Sequence, residues 1–405
     1  MKKILCIVLA LVLVVGLCAC GGKTAAPAAP AAPAAPAAPA AAPESKLDTS
    51  TNLGDAPEAI KAEAPTEETV EYPEMTLTIA DYNTANSGPG QCTQMAADYI
   101  TEASGGKIKC DVYLGGTLME SMDTPSGIAD GIADISYYMI GLVSGIQPVG
   151  EILTQNFFRQ WPQIQGNTAC LRRVFEEVPA FQEELAKQGL YAVTELTSPG
   201  SFMVFTDDTA KDINTPNDLK GKIVMASSAY LVKNYNDNYG VSGMGMGPAD
   251  WYSNFERGVC DALVINLPCF KDFGIDELIK SYVTFGDNGS LSAGGALYIA
   301  NLERWNSFDA NVQALIKEAF DKAADWCVAR DYESENAMKE IEWGEESGKL
   351  VHSIPESEMG PWYELAYKTV DLWKASVKEQ GIDADAIFEQ YSAVIDDYMK
   401  DYTFN

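Results

Sequence analysis

The sequence predicts an α/β protein whose folded body is two lobes with a cleft between them. Three observations carry that expectation. From residue 75 onward, segments with period-two apolar alternation take turns with segments of helical period. The alternation pauses near 140 and restarts after 190, so two α/β units are joined by connecting strands. The chain has 405 residues and is 47% hydrophobic, which allows about two domains with sizeable cores.

The elements follow in order. Met75–Ala80 alternates apolar and polar residues and reads as a half-buried strand. Pro89 opens a helix carrying Ala96, Ala97, Tyr99 and Ile100, which Gly105-Gly106 stops. Ile108, Cys110 and Val112 alternate in a second strand. A short helix near 120–131 leads to a third strand around Asp134–Tyr138. This β-α-β-α-β order predicts parallel pairing.

After 190, Tyr191–Leu196 and Phe202–Thr206 read as two strands. Lys222–Ala226 is another, followed by a helix to about Tyr239. Gly243–Gly247 is glycine-rich without dinucleotide or Walker spacing and reads as a turn. Pro248 opens a helix ending near Gly258, and Asp261–Ile265, Ser281–Phe285 and Ala296–Ala300 complete the strands. Ser307 reads as an N-cap. Behind it Val312, Leu315, Ile316, Ala319, Phe320 and Ala323 mark one helical face, and no Pro or Gly interrupts until Gly344. A helix of that length would run about 45–50 Å and could brace both lobes. Helices at about 361–379 and 383–400 follow; Trp362, Leu365, Ala366 and Trp373 are expected in the core.

The N-terminus reads as an address and a tether. Lys2 and Lys3 precede an apolar run, Ile4–Leu17, that is shorter than the about 20 residues a bilayer span needs. The run ends in Leu17-Cys18-Ala19-Cys20-Gly21, which resembles the lipobox of bacterial lipoproteins. That resemblance implies a signal peptide over 1–19 and a lipid on Cys20, and two acyl chains suffice for stable anchoring. Pro27, Pro30, Pro33, Pro36 and Pro39 recur every third residue. They favour polyproline II, and the stretch becomes a semi-rigid spacer of roughly 60 Å. Residues 44–74 are acidic and nearly free of aromatics, so 20–74 as a whole is expected to be a disordered tether.

Charge and composition exclude several functions. Asp and Glu number 58 against 28 Lys and Arg, a formal net charge of −30, which repels phosphate backbones and argues against nucleic acid. With one histidine, His352, no His-rich metal site can be assembled. No Cys-x-x-Cys pair and no Gly-x-Ser-x-Gly elbow occur. No enzyme activity, cofactor or metal is expected. The six cysteines of the body allow 15 pairings. Mostly free thiols are expected, because a body this large needs no staples, although the sequence leaves their state open.

Four segments resemble, in order, the substrate-binding proteins of TRAP (tripartite ATP-independent periplasmic) transporters. They are Gly105-Gly-Lys-Ile-Lys-Cys-Asp-Val-Tyr-Leu-Gly-Gly-Thr-Leu118, Gly127-Ile-Ala-Asp-Gly-Ile-Ala-Asp-Ile135, Asn214-Thr-Pro-Asn-Asp-Leu-Lys-Gly221, and Trp251-Tyr252 with Arg257-Gly-Val-Cys-Asp261. The resemblance covers about 75–345. It implies a two-lobe periplasmic-binding-protein-like fold with mixed sheets, connecting strands and a long helix bracing both lobes. Residues 75–203 and 292–335 would form the first lobe, and 204–291 and 336–405 the second. It implies an extracytoplasmic protein, held by its lipid at the outer face of the cytoplasmic membrane. Such a protein closes on a small ligand and passes it to an ion-gradient-driven permease. A sensory receptor that presents its closed form to a membrane signalling protein is the alternative, which the neighbouring genes would separate.

Ligands of α/β sheets sit at the carboxyl ends of strands. Those ends supply Tyr82, Asn83, Tyr137, Tyr138 and Asn266, and the family's motif places Tyr252 beside them. The family's usual arginine clamp for a carboxylate falls on Met225, and a second one on the Phe202-Met203 pair. Two expectations follow. Either the pocket takes a neutral or aromatic ligand lined by Met225, Phe202, Trp251 and tyrosines, or another cation compensates, with Arg159 in Phe157-Phe-Arg-Gln-Trp161 as the candidate.

Overall fold

The computed structural model describes residues 58–62, 70–143, 145–154, 164–226, 228–286, 289–332 and 343–401. The first unit forms as expected. Strand β1 (Met75–Ala80) pairs in parallel with β2 (Ile108–Tyr113) and with β3 (Ile135–Met139). Between β1 and β2 runs α1 (Gly88–Ala103). The Ser87 hydroxyl caps it by accepting the Gly90 N–H at 3.1 Å, and Pro89 occupies the first turn, where its missing N–H costs nothing. Gly90 is required there, since a Cβ would stand 2.0 Å from the Thr84 carbonyl oxygen. A short α2 (Thr124–Ala129) precedes β3. Two helices the sequence reading did not assign, α3 (Ile164–Glu177) and α4 (Pro179–Lys187), lead into the next strand.

That strand differs from expectation. Tyr191–Leu196 and Phe202–Thr206 are parts of one strand, β4 (Leu190–Phe205), although Pro199-Gly200 reads as a break. The ladder shifts register between Thr197 and Gly200, so the proline falls in the irregular stretch where no ladder N–H is needed. The same compact unit continues through β5 (Ile223–Met225), α5 (Ala229–Asn234), β6 (Ser242–Met244), α6 (Trp251–Glu256), β7 (Ala262–Asn266), α7 (Leu267–Asp272), β8 (Ser281–Phe285) and β9 (Ser292–Asn301). The expected turn at Gly243–Gly247 is thus partly a strand, with Ser242–Met244 pairing in parallel with Ile223–Met225.

The N-terminal half of β4 pairs antiparallel with β9, and its C-terminal half lies between β7 and β8. The hydrogen-bonded order is β2-β1-β3-β9-β4-β7-β5-β6. A strand β10 (Leu350–Ile354) pairs in parallel with β8 on a branch from β4. Parallel and antiparallel ladders mix, and each half of β4 has its own apolar cores. This is a two-lobe α/β architecture.

The helices after β9 are α8 (Leu302–Ser307) and α9 (Ala310–Tyr332). Ser307 is therefore the last residue of α8 and its hydroxyl donates to the Arg304 carbonyl. Asp309 is the cap of α9, its Oδ1 accepting from the N–H groups of Asn311 and Val312. The predicted stripe from Val312 to Ala323 is buried against α1 and β4, in the first lobe alone. Residues 333–342 of the expected long helix lie outside the described residues.

Helix α10 (Gly360–Glu379) spans both lobes: its Trp362, Leu365 and Ala366 sit in a core of the second lobe and its Val370, Trp373 and Val377 sit in a core of the first. The final helix, α11 (Ala384–Asp401), was expected with the second lobe. Its Ala384, Ile387, Tyr391 and Ile395 pack with Phe181 and Val174 of the first lobe. The six body cysteines are thiols.

Trp362 is fully buried, meets Phe285 edge-on at 4.9 Å and donates its indole N–H to the Asn214 carbonyl at 3.0 Å. Trp362→Ala is expected to cost about 3–5 kcal/mol in chemical denaturation. A cost below ~1 kcal/mol would mean that α10 does not anchor the second lobe.

Candidate ligand-binding cleft

The cleft forms where strands of both lobes end. From the first lobe, β1 delivers Tyr82 and Asn83, β3 delivers Tyr137 and Met139, the irregular stretch of β4 delivers Leu196–Ser198, and α9 adds Cys327 and Val328. From the second lobe, β7 and α7 deliver Asn266, Cys269, Asp272 and Phe273, and Pro248 and Trp251 close the side. The space is about 610 Å³ with its open mouth included.

Two ring pairs line it. Tyr82 and Tyr137 meet edge to face at 5.5 Å, and Tyr137 rests in turn on Tyr298 at 5.6 Å. Across the cleft Trp251 and Phe273 meet at 5.2 Å and 71°. The Trp251 indole N–H is held by the Met246 carbonyl at 3.1 Å, which fixes the ring. These T-shaped contacts lock the aromatic walls in place.

Beneath the wall lies a residue that the sequence reading passed over. Asp81 is 1% exposed. Its Oδ1 accepts both the backbone and side-chain N–H of Asn83 at 2.8 Å, and its Oδ2 accepts the Thr93 hydroxyl at 2.6 Å. Thr93 is within 2.9 Å of the Tyr298 hydroxyl, which donates to the Pro89 carbonyl. One carboxylate thus ties β1, α1 and β9 together under the cleft. The available signal was an acid directly after an apolar strand, in Asp81-Tyr82-Asn83. Opposite, Asn266 caps α7 by accepting the Cys269 N–H at 3.1 Å, which leaves its Nδ2 uncommitted among the described residues.

Of the residues expected at the site, Tyr82, Asn83, Tyr137, Trp251 and Asn266 are brought together here. Tyr138 alternates to the other face of β3 and is buried in the core behind the sheet. Phe202 and Met225 are each 1% exposed in the core beneath the second lobe's wall, not on the lining. Tyr252 is half-buried on α6, off the lining. Arg159 and Cys20 lie outside the described residues. No group of three or more metal-ligating side chains occurs among the described residues.

Residues 79–376 match the sequence profile of a family described as bacterial extracellular solute-binding protein, family 7. The chain belongs to that family. Solved structures share the fold. A TRAP solute-binding protein from Rhodoferax ferrireducens, in complex with copurified benzoate, superposes with a TM-score of 0.69 at 17% identity, covering 80% of this chain and 99% of that one. A Desulfovibrio salexigens protein with bound orotic acid gives 0.67 at 18% identity, covering 79% and 99%. A Bordetella pertussis receptor binding pyroglutamic acid gives 0.64 at 19%, covering 78% and 99%. This solute-binding protein therefore captures small solutes outside the cytoplasm, in the two-lobe fold of its family.

Two outcomes follow. The Tyr82 hydroxyl is buried without a hydrogen-bond partner among the described residues, a state that costs about 1–3 kcal/mol. Tyr82→Phe should raise the stability of the ligand-free protein by about 1 kcal/mol in urea unfolding. Destabilisation of that size would mean the hydroxyl has a partner after all.

Burial pushes Asp81 up to about 6, Glu151 and Glu184 to about 7, and Glu195 to about 8. Unfolded carboxyls titrate near 4. The folded protein holds more protons across this window, so the stability these groups contribute is present at low pH and lost as pH rises through 6–8. The melting temperature should fall between pH 5 and 8. Glu195→Gln should flatten that fall and be worth on the order of 1–3 kcal/mol at pH 8. An unchanged slope in differential scanning calorimetry would exclude Glu195 as a source.

Proposed function

We propose that this solute-binding protein takes a small planar aromatic metabolite and delivers it to the membrane subunits of an ion-gradient-driven TRAP permease. The observation that carries the reading is the facing of two ring pairs, Tyr82 with Tyr137 and Trp251 with Phe273, from the two lobes of one cleft. Rings bury large area at little conformational cost and select flat ligands. Asn83 and Asn266 supply polar handles at the strand ends. Fold neighbours bind planar rings, among them benzoate, 3-hydroxybenzoate and orotic acid. A ligand that touches both lobes favours the closed form and shifts the hinge equilibrium by that preference.

Among the described lining residues there is no Lys or Arg, and Met225, which takes the place of the family's arginine, is in the core. An uncharged ring is accommodated as the lining stands. An aromatic acid would need a cation from outside the described lining, for which Arg159 is the candidate. In a thermal-shift screen of organic acids, sugars, amino acids and neutral aromatics, the aromatic compounds should stabilise the protein. A ligand at 100 times its Kd is worth about 2.7 kcal/mol. Hits confined to sugars or aliphatic acids would refute the reading. If an aromatic acid binds, Arg159→Ala should abolish its shift and spare neutral rings.

The Lys2-Lys3 start, the apolar run and the Cys20-Gly21 junction support export and lipid attachment at Cys20, with the Ala-Pro segment as spacer. Cys20→Ala should release the protein from membranes into the medium or periplasm. Retention of the variant in the membrane fraction, with labelled palmitate still incorporated, would exclude Cys20 as the acceptor.

A further inference from the structure

We infer that Asn83, clamped by Asp81, reads a donor–acceptor edge, so that the ligand carries a planar amide: a lactam, an imide or a carboxamide. This rests on the aromatic reading of the cleft and narrows it.

The argument starts from what each polar group has left to offer. A buried carboxylate accepts hydrogen bonds and donates none. Asp81 therefore settles which way the Asn83 amide points, because the flipped rotamer would press the amide oxygen against the carboxylate. Nδ2 must face Asp81, as the 2.8 Å bond records. The clamp is stiff, since the Asn83 backbone N–H and the Thr93 hydroxyl bind the same carboxylate. Asn83 keeps its Oδ1 and one N–H, neither of which has a partner among the described residues, and it lines the cleft.

Asn266 has spent its oxygen on capping α7 and keeps two N–H donors. Tyr82 adds a second, independent pointer to a ligand, since its phenol is about nine-tenths buried, lines the cleft and has no partner among the described residues. The three residues thus present several donors, and the Asn83 Oδ1 is an acceptor with no partner among the described residues. A carboxylate would satisfy the donors and set its own lone pairs against that oxygen. An amide supplies the N–H that Oδ1 needs, while its carbonyl takes a donor. The surrounding rings favour an amide that is part of, or conjugated to, a flat ring.

The test uses the full chain and isothermal titration with benzamide, uracil, benzoate, phenol and N,N-dimethylbenzamide. Benzamide or uracil should bind more tightly than benzoate and phenol, and dimethylation should weaken benzamide at least about tenfold. Asn83→Leu and Asp81→Asn should each weaken benzamide at least about tenfold. The dimethyl comparison uses the unaltered protein and stands even if a variant fails to fold. Benzoate binding more tightly than benzamide, with dimethylation neutral, would overturn the amide assignment and leave the aromatic reading intact. Binding of none of the five would overturn both.

Discussion

The ladder that β4 makes with two sets of partners is the constraint on which the rest of the molecule depends. Its first half belongs to the β9 side and its second half to β7 and β8. Each half therefore sits in a different part of the hydrogen-bonded sheet and under different cores. The register shift between Thr197 and Gly200 lies at the changeover, and Thr197 and Ser198 line the cleft there. A bulge bends and twists a strand locally, so the same irregularity that separates the lobes opens the site between them. Helix α10 crosses the same divide, with Trp362 in one core and Trp373 in another.

The cleft floor is held by an electrostatically costly arrangement. Burying Asp81 disfavours its charge, and three hydrogen bonds to its two oxygens offset part of that cost. In return the amide of Asn83 is oriented before any ligand arrives. Tyr82 bears the opposite cost, a buried donor with no partner among the described residues. Each of these arrangements costs the ligand-free protein stability. Elsewhere two buried glutamates serve the frame. Glu184 accepts the N–H groups of Val149 and Gly150, and Glu151 accepts that of Ala229 at the start of α5.

Much of the site was legible because strand ends are legible. Tyr82, Asn83, Tyr137 and Asn266 follow apolar runs whose ends are evident in the chain, and all four line the cleft. Tyr138 was grouped with Tyr137 because neighbours on a strand cannot be assigned to faces until the register with β9 places one toward the cleft and the other behind the sheet. Phe202 and Met225 were expected on the lining, yet their apolar side chains fill a core. Asp81 was passed over because nothing local says that its partners are Thr93 and, through it, Tyr298.

The sequence by itself determined the kind and order of most elements, the helical stripe from Val312 to Ala323 and the motifs that mark the family, because each is written in residues close along the chain. Tertiary structure alone decided that β4 runs unbroken past Pro199, that α11 joins the first lobe, and that Asp81 aims Asn83 into the cleft. Periodicity tells an element which face to bury. It does not name the partner, often hundreds of residues away, against which that face is buried.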